Sequence, residues 1–208
     1  EQLLAAFRDN KDVHTETASM MFNIPIEAVT KEQRRNAKAI NFGLIYGMSA
    51  FGLAKQLEVS RTEAKQYIDA YFNNYIGVLK YMDNIKESAK AQGYVETVMG
   101  RRLYLPQINA NNKMLQQHAL RTAINAPMQG SSADIIKNAM IDVNKWIGDN
   151  NKDIKMIMQV HDELVFEVNS SKADLLTNKI QELMQNTYKL DVPLVVDVGV
   201  GDSWQQAH

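Results

Sequence analysis

Two runs in which every second residue is apolar, Met156-Met158-Val160 and Leu164-Phe166-Val168, are separated only by His161-Asp162-Glu163. Alternation at a period of two places one face of a strand on a core, and a connection this short joins two strands only as an antiparallel hairpin. Strands are therefore expected over Lys155 to Val160 and over Leu164 to Val168. A helix from about Lys172 to Tyr188 and a further strand from Pro193 to Val198 would complete helices packed on one face of an antiparallel sheet. The expected fold class is α+β, with a helical lobe followed by part of an α+β lobe.

The helical lobe is read from its caps. Thr30 and Gln33 have capping-box spacing, and the run Lys31 to Tyr46 gives four turns before Gly47 offers a stop. Ser60 and Glu63 repeat the signature ahead of Tyr67, Ile68, Tyr71, Phe72 and Tyr75, whose helical spacing assigns them to the core. A third helix is expected from Val78 to Gln92, ended by Gly93. A hairpin follows, with Tyr94 to Met99 turning through Gly100 into Arg101 to Leu105. Helices resume over Asn111 to Ala126 and, beyond Pro127, to Trp146. Pro25, Pro106, Pro127 and Pro193 punctuate segments, and no repeat or Gly/Ser linker is present.

Composition sets the remaining bounds. A chain of 208 residues, 45% hydrophobic and 23% charged, is that of a globular protein. At this size folding buries roughly 70% of the unfolded surface without a disulfide or structural metal. The absence of cysteine agrees and excludes zinc ribbons and thiol catalysis. No apolar run reaches the roughly 20 residues of a membrane span, and Glu1 to Phe7 lack the basic start of a signal peptide, so a cytoplasmic protein is expected. The net charge of -1 conceals local order: from Thr97 to Ala133 there is no acidic residue, while Arg101, Arg102, Lys113 and Arg121 fall there among many Asn and Gln. That stretch suits an anionic polymer, and it is equally a solvated surface from which carboxylates are missing by chance.

Two places carry candidate chemistry. A His161-Asp162-Glu163 tip has no glycine to relieve positive φ, and its adjacent carboxylates repel unless a cation lies by them. A hard divalent ion such as Mg²⁺ takes one or two such carboxylates with phosphates completing its shell; the alternative is a solvated acidic turn. Zinc is disfavoured, because the four histidines are scattered and no His-Glu-x-x-His occurs. The second place is the helix opened by Thr30, where Arg34, Lys38, Phe42 and Tyr46 recur every fourth residue along one slowly winding face. An anion would meet the two cations and an attached planar ring the two aromatics, which is the layout of a nucleoside triphosphate lying along a helix. The alternative is an amphipathic helix with both rings in the core and both cations in water. No Gly-x-x-x-x-Gly-Lys-Ser/Thr loop competes, and Gly199-Val200-Gly201 is too short a glycine signal.

The run Arg34-Arg35-Asn36-Ala37-Lys38-Ala39-Ile40-Asn41-Phe42-Gly43-Leu44-Ile45-Tyr46-Gly47 resembles the fingers-helix motif of family A DNA polymerases, in particular the bacterial DNA polymerase I group. Gln159-Val160-His161-Asp162-Glu163-Leu164-Val165-Phe166 is similar to the family's later palm motif, and Arg121 through Asn125 to Gln129 resembles the segment between. The resemblance covers essentially the whole chain and runs to His208, where the family usually ends. It implies a right-hand polymerase fold, with a mostly helical fingers subdomain over 1–126 and the C-terminal part of an antiparallel-sheet palm over 127–208. Arg34 and Lys38 would hold the incoming triphosphate and take part in catalysis, with His14 a further phosphate contact. Phe42 would pack on the incoming sugar and base, and Tyr46 would stack near the templating position. Asp162 would ligate catalytic Mg²⁺, with the catalytic Glu163 beside it and His161 near the primer end. Arg121, Asn125 and Gln129 would contact the primer-template.

The resemblance further implies template-directed DNA synthesis in replication and repair, by two-metal transfer of deoxynucleoside triphosphates onto a primer 3'-hydroxyl. It implies a monomer that is cytoplasmic and nucleoid-associated, with no membrane partner. Gly43 and Gly47 would give as the fingers helix rotates, and family members with Phe at the place of Phe42 discriminate against dideoxynucleotides. The sequence departs from the family in starting just downstream of the motif that supplies a second metal-binding carboxylate and the Glu that screens out ribose. The chain is thus expected to be the C-terminal part of a longer polymerase and inactive alone. A smaller departure from the family's pattern is Ile76, where relatives commonly place Pro before Gly77. Two other readings remain at this level: a single-subunit RNA polymerase relative, separable by ribonucleotide incorporation, and a non-catalytic DNA-binding module, whose binding would survive loss of Asp162.

Overall fold

A computed structural model describes residues 2–148 and 152–207; His208 and the opening Glu1 lie outside the described residues. The helices are α1 (Gln2–Arg8), α2 (Val13–Phe22), α3 (Lys31–Ile45), α4 (Ala50–Leu57), α5 (Arg61–Asn74), α6 (Ile76–Gln92), α7 (Lys113–Ile147), α8 (Ala173–Gln185) and α9 (Trp204–Ala207). The strands are β1 (Tyr94–Glu96), β2 (Arg102–Tyr104), β3 (Ile154–Val160) and β4 (Glu163–Val168). The expected α+β class is observed. The chain forms two compact units, 1–128 and 129–208. Among the described residues no helix is long and apolar enough to cross a membrane.

In the first unit the helical periodicity does what it predicts. Ile40 and Leu44 of α3, Leu53 and Ala54 of α4, Ala64 and Tyr71 of α5 and the capping Tyr75 form one core, against which Tyr67, Ile68 and Phe72 pack. Tyr71 meets Tyr75 edge to face at 4.9 Å between centroids. Ser60 Oγ accepts from Glu63 N at 3.1 Å and starts α5 as its cap. A second cluster joins Ala89, Val95, Leu105 and Ile108 to Ala119 and Ala123, holding α6, the β1–β2 hairpin and the first turns of α7 together. Gly93 ends α6 at φ 78, where a side chain would be strained.

The second unit is built on the later turns of α7, the β3–β4 hairpin and α8. Val143, Ile154, Leu176 and Ile180 form its core cluster, with Met156, Phe166 and Val168 packed against them.

Four expectations require correction. Helix α7 runs unbroken through Pro127, where two helices were expected. Proline removes one N–H, here the donor to the Ala123 carbonyl, but its φ is helical, and the packing of Ala119 and Ala123 on one side and Val143 on the other outweighs one lost bond. The β3–β4 alternation is also interrupted. Met156 pairs with Phe166 and Met158 with Val165, so Ile157 is an extra, bulged residue. The bulge turns Met158 and Val160 to the face opposite Met156 and leaves Ile157 and Met158 exposed. Helix α8 is shorter than expected because Asn186 closes it, its Nδ2 donating to the Glu182 carbonyl at 2.7 Å. Finally, 193–198 forms no ladder among the described residues; a strand needs a hydrogen-bonded neighbour, and this segment meets the Gln181 amide, which donates to the Val196 carbonyl at 2.6 Å.

Candidate functional site

Both ends of α3 are fixed, which sets the direction of each of its side chains. Thr30 Oγ1 accepts from Gln33 N at 3.2 Å while Gln33 Oε1 accepts from Thr30 N at 2.9 Å, completing the capping box. At the other end Gly47 N donates to Leu44 O at 2.9 Å and Met48 N to Gly43 O at 2.8 Å, with Gly47 at φ 72. This is a Schellman ending, and Gly43 makes room for it, since a Cβ there would lie 3.0 Å from Met48 Sδ. With the helix so set, Ala37, Ile40, Asn41, Gly43 and Leu44 are buried. Phe42 and Tyr46 remain 46% and 39% exposed, which removes the reading that sank both rings in the core.

The exposed rings are ordered. Phe42 and Tyr46 lie nearly parallel, 16° between planes and 6.3 Å between centroids, and the His14 ring stands 5.6 Å from Phe42. Lys38 Nζ sits 6.0 Å over the Phe42 centroid. An open groove of about 760 Å³ is lined by Lys38, Phe42 and Tyr46 together with Arg35, Arg121 and Asn125. Asn125 Oδ1 is buried and has no hydrogen-bond partner among the described residues. A buried acceptor left unpaired costs roughly 1–3 kcal/mol, so this atom fits a site whose occupant supplies a donor. Two stacked rings, two or three cations and an unpaired amide oxygen can bind a planar group that carries an anion.

Arg34 and His14 lie on the same helix pair but are already engaged. Arg34 Nε donates to Asp12 Oδ2 at 2.6 Å. Asp12 caps α2, accepting from His14 N at 3.0 Å, Thr15 N at 3.2 Å and Thr15 Oγ1 at 3.0 Å. Burial alone would raise the Asp12 pKa, but the bonds from Arg34 and Thr15 outweigh it and hold the carboxyl down at about 2. His14 is held below its ordinary value, first by burial; Arg34 and Lys38 act the same way and Asp12 opposes them. Asn41 Nδ2 lies 3.0 Å from His14 Nδ1.

Asp12 and Asn41 were not singled out in the sequence. Asn41 had a signal, since it interrupts the apolar stripe Ala37-Ile40-Leu44. Asp12 had only a weak one, an Asp two residues before His14 at a helix start.

In the second unit the hairpin loop is two residues, not three, because Glu163 already pairs with Val160. His161 takes the left-handed conformation at φ 52 that the absence of glycine made costly, and Gln159 Nε2 donates to its carbonyl. Asp162 is exposed at the tip, and no hydrogen bond or ion pair ties its carboxylate to another described residue. Gln129 is an exposed residue of α7. Among the described residues no three His, Asp or Glu side chains gather as a metal site. The unpaired Asp162 carboxylate fits one position in the oxygen shell of a hard cation, and the rest of that shell must come from elsewhere.

A family model described as DNA polymerase family A matches residues 1–206. DNA polymerase I of Pseudomonas aeruginosa is 55% identical over 206 residues, spanning 99% of this chain and 23% of that protein. DNA polymerase I of Mycobacterium bovis is 45% identical over 207 residues, spanning 100% of this chain and 23% of that protein. Among solved structures, the POL domain of Pol1 from M. smegmatis, in complex with DNA primer-template and dNTP, matches with a TM-score of 0.94 at 46% identity. That match covers 99% of this chain and 36% of that one. The chain thus spans about a quarter of the length of these relatives. A family match over residues 1–206, with relatives 45–55% identical along the same length, leaves one conclusion: the chain belongs to DNA polymerase family A.

Proposed function

We propose that this chain is the fingers (1–126) and C-terminal palm (127–208) portion of a DNA polymerase that adds deoxynucleotides to a primer 3'-hydroxyl under direction of a template. The observation that carries the reading is the groove along α3, where Lys38, Phe42, Tyr46, Arg121 and the unpaired Asn125 oxygen meet. The solved relative that was captured with primer-template DNA and dNTP supports the same partners for this chain.

In this reading Lys38 and Arg34 hold the triphosphate and place positive charge where pyrophosphate develops. Arg34 spends only its Nε–H on Asp12, whose ionised carboxylate keeps the guanidinium oriented while its terminal nitrogens meet the phosphates. His14, neutral at physiological pH, contributes a hydrogen-bond donor. The Phe42 ring packs on the sugar and base, and Tyr46 stacks at the templating position; such stacking tolerates any of the four bases at roughly 1–3 kcal/mol each. Arg121 and Asn125 hold the primer-template with Gln129, and His161 lies by the primer terminus.

Asp162 would hold catalytic Mg²⁺, with Glu163 beside it. When bound, that ion supplies Lewis-acid chemistry at the attacking hydroxyl and the leaving pyrophosphate. In this reading the fragment alone lacks extension activity. The longer protein would work in the cytoplasm, at the nucleoid, as a monomer in replication and repair.

The test is primer extension with Mg²⁺ by the longest product of the gene containing this segment, beside its Asp162→Ala variant. Loss of roughly a thousandfold in rate with primer-template binding retained is expected, the scale of several kcal/mol of charge stabilisation. Extension that persists refutes the metal assignment. Extension by neither protein, with DNA binding intact, favours a binding module.

A further inference from the structure

Beneath the exposed face of α3 runs a buried polar chain that the reading above does not use. Thr17 is fully buried, Asn41 is 4% exposed and Tyr75 is 9% exposed. Thr17 Oγ1 lies 2.7 Å from the Val13 carbonyl and 3.2 Å from Asn41 Oδ1; the shorter contact takes its one proton, and the Tyr75 hydroxyl 3.2 Å away donates to it. Asn41 Nδ2 then has two acceptors for its two protons, Thr17 Oγ1 at 3.1 Å and His14 Nδ1 at 3.0 Å. Reversing the amide would keep a contact with Thr17 Oγ1, at 3.2 Å, but would leave the other amide proton without an acceptor and set the amide oxygen against the ring.

We propose that Asn41 is a positioning residue that fixes His14 as the Nε2–H tautomer, so that the ring presents one oriented donor to an anionic phosphate. The inference rests on the polymerase reading for the identity of that anion. A ring nitrogen that accepts a hydrogen bond cannot carry the proton, so the bond from Asn41 decides the tautomer. The charged groups around the ring are Asp12 from the start of α2 and Arg34 and Lys38 from α3, with Tyr75 reaching it through Thr17 and Asn41. The His14 ring also stands against Phe42, so the amide that sets its proton ties that donor to the aromatic floor of the groove. An unanchored histidine would divide its population between two tautomers and bind a phosphate less tightly by the fraction of the wrong one and by the freedom of the ring.

Two measurements on the longest gene product test this. In the ¹⁵N-histidine-labelled protein, with the His14 signals identified by their loss in His14→Gln, long-range ¹H–¹⁵N correlations are expected to show a protonated Nε2 and a bare Nδ1. A protonated Nδ1 overturns the inference. The second is a double-mutant cycle on primer extension. Asn41→Leu, similar in volume, is expected to raise the dNTP KM about tenfold. In the His14→Gln background, whose amide donates without needing a tautomer, the same change should cost less than about twofold. An equal loss in both backgrounds marks Asn41 as structural only and overturns the inference.

If Asn41→Leu does not fold, Asn41→Asp keeps the shape and faces Nδ1 with an acceptor, and should move the proton onto Nδ1; a spectrum unchanged from wild type overturns the inference. A wild-type protein that extends no primer defeats the polymerase reading and the phosphate role with it, whereas an extending enzyme with an additive cycle defeats the Asn41 role alone.

Discussion

Helix α3 and the β3–β4 hairpin each carry a short run of chemically capable residues, and they hold them in opposite ways. Around α3 the organised groups rest on something built within the first unit: the capping box and Schellman ending set the helix, Asp12 orients Arg34, and Asn41 meets His14. On the hairpin the backbone does the shaping. A bulge at Ile157 and a left-handed His161 aim the tip, while the Asp162 carboxylate has no partner among the described residues. The contrast shows that a side chain can be organised for an anion by neighbours that pack against it within one unit, whereas an acidic tip remains uncompensated until a cation or further chain meets it.

The largest effect expected of a single change separates the two regions by their cores. Ile40 is a fully buried residue of α3 in the core of the first unit. Ile40→Ala removes its side chain from a packed site, at a cost of roughly 2–5 kcal/mol. In hydrogen exchange on the longest gene product, amides of α3 and its packing partners α4 and α5 should open on the order of a hundredfold more often. Peptides from β3 and β4 should keep wild-type protection. A matching loss in the hairpin would mean that the two regions share one cooperative unit and would end the distinction.

Much of this contrast could be read before any coordinates, for physical reasons that also explain what could not. Thr30 with Gln33, Ser60 with Glu63, and Gly47 and Gly93 are local signals, because a cap acts on residues three or four positions away. The alternating runs around His161 likewise required a hairpin, since so short a connection permits little else. The bulge did not show, because inserting one residue leaves the composition of the strand unchanged and alters only its register. Pro127 misled because its local cost was outweighed by packing that only the fold brings to both sides of it. The ion pair of Asp12 with Arg34 joins residues far apart in sequence, so neither spacing nor periodicity could announce it.

That ion pair gives the next test, one of charge. Asp12 has a folded pKa of about 2 against an ordinary value of 3.8, so its stabilisation is complete above about pH 4 and is lost as the pH falls through 2. The Asp12 side chain is 41% exposed, and solvent screening reduces the contribution to about 1 kcal/mol. Protection of α2 and the first turns of α3 should therefore fall between pH 4 and pH 2.5 in the wild type. In Asp12→Asn it should start lower and vary less over that interval. Parallel curves for the two proteins would show that titration of Asp12 contributes nothing to stability over this interval and would end its role in organising Arg34.

The smallest expected effect lies at the hairpin tip. A non-glycine residue at φ 52 costs roughly 1–2 kcal/mol, and His161→Gly relieves it. Glycine also gives the unfolded chain more freedom, which takes back roughly 0.4–1 kcal/mol, so the net gain in hairpin stability is about 0.5 kcal/mol. Slightly slower exchange of the β3 and β4 amides is the expected reading. Faster exchange would mean that the His161 side chain contributes contacts worth more than the strain it carries. If the hairpin gains protection while primer extension by the same variant slows, the strained tip is kept for what it presents beside Asp162, because sequence selected for stability alone would have placed glycine there. If both improve or extension is unchanged, the left-handed histidine is a local cost with no return, and the hairpin differs from α3 only in lacking neighbours.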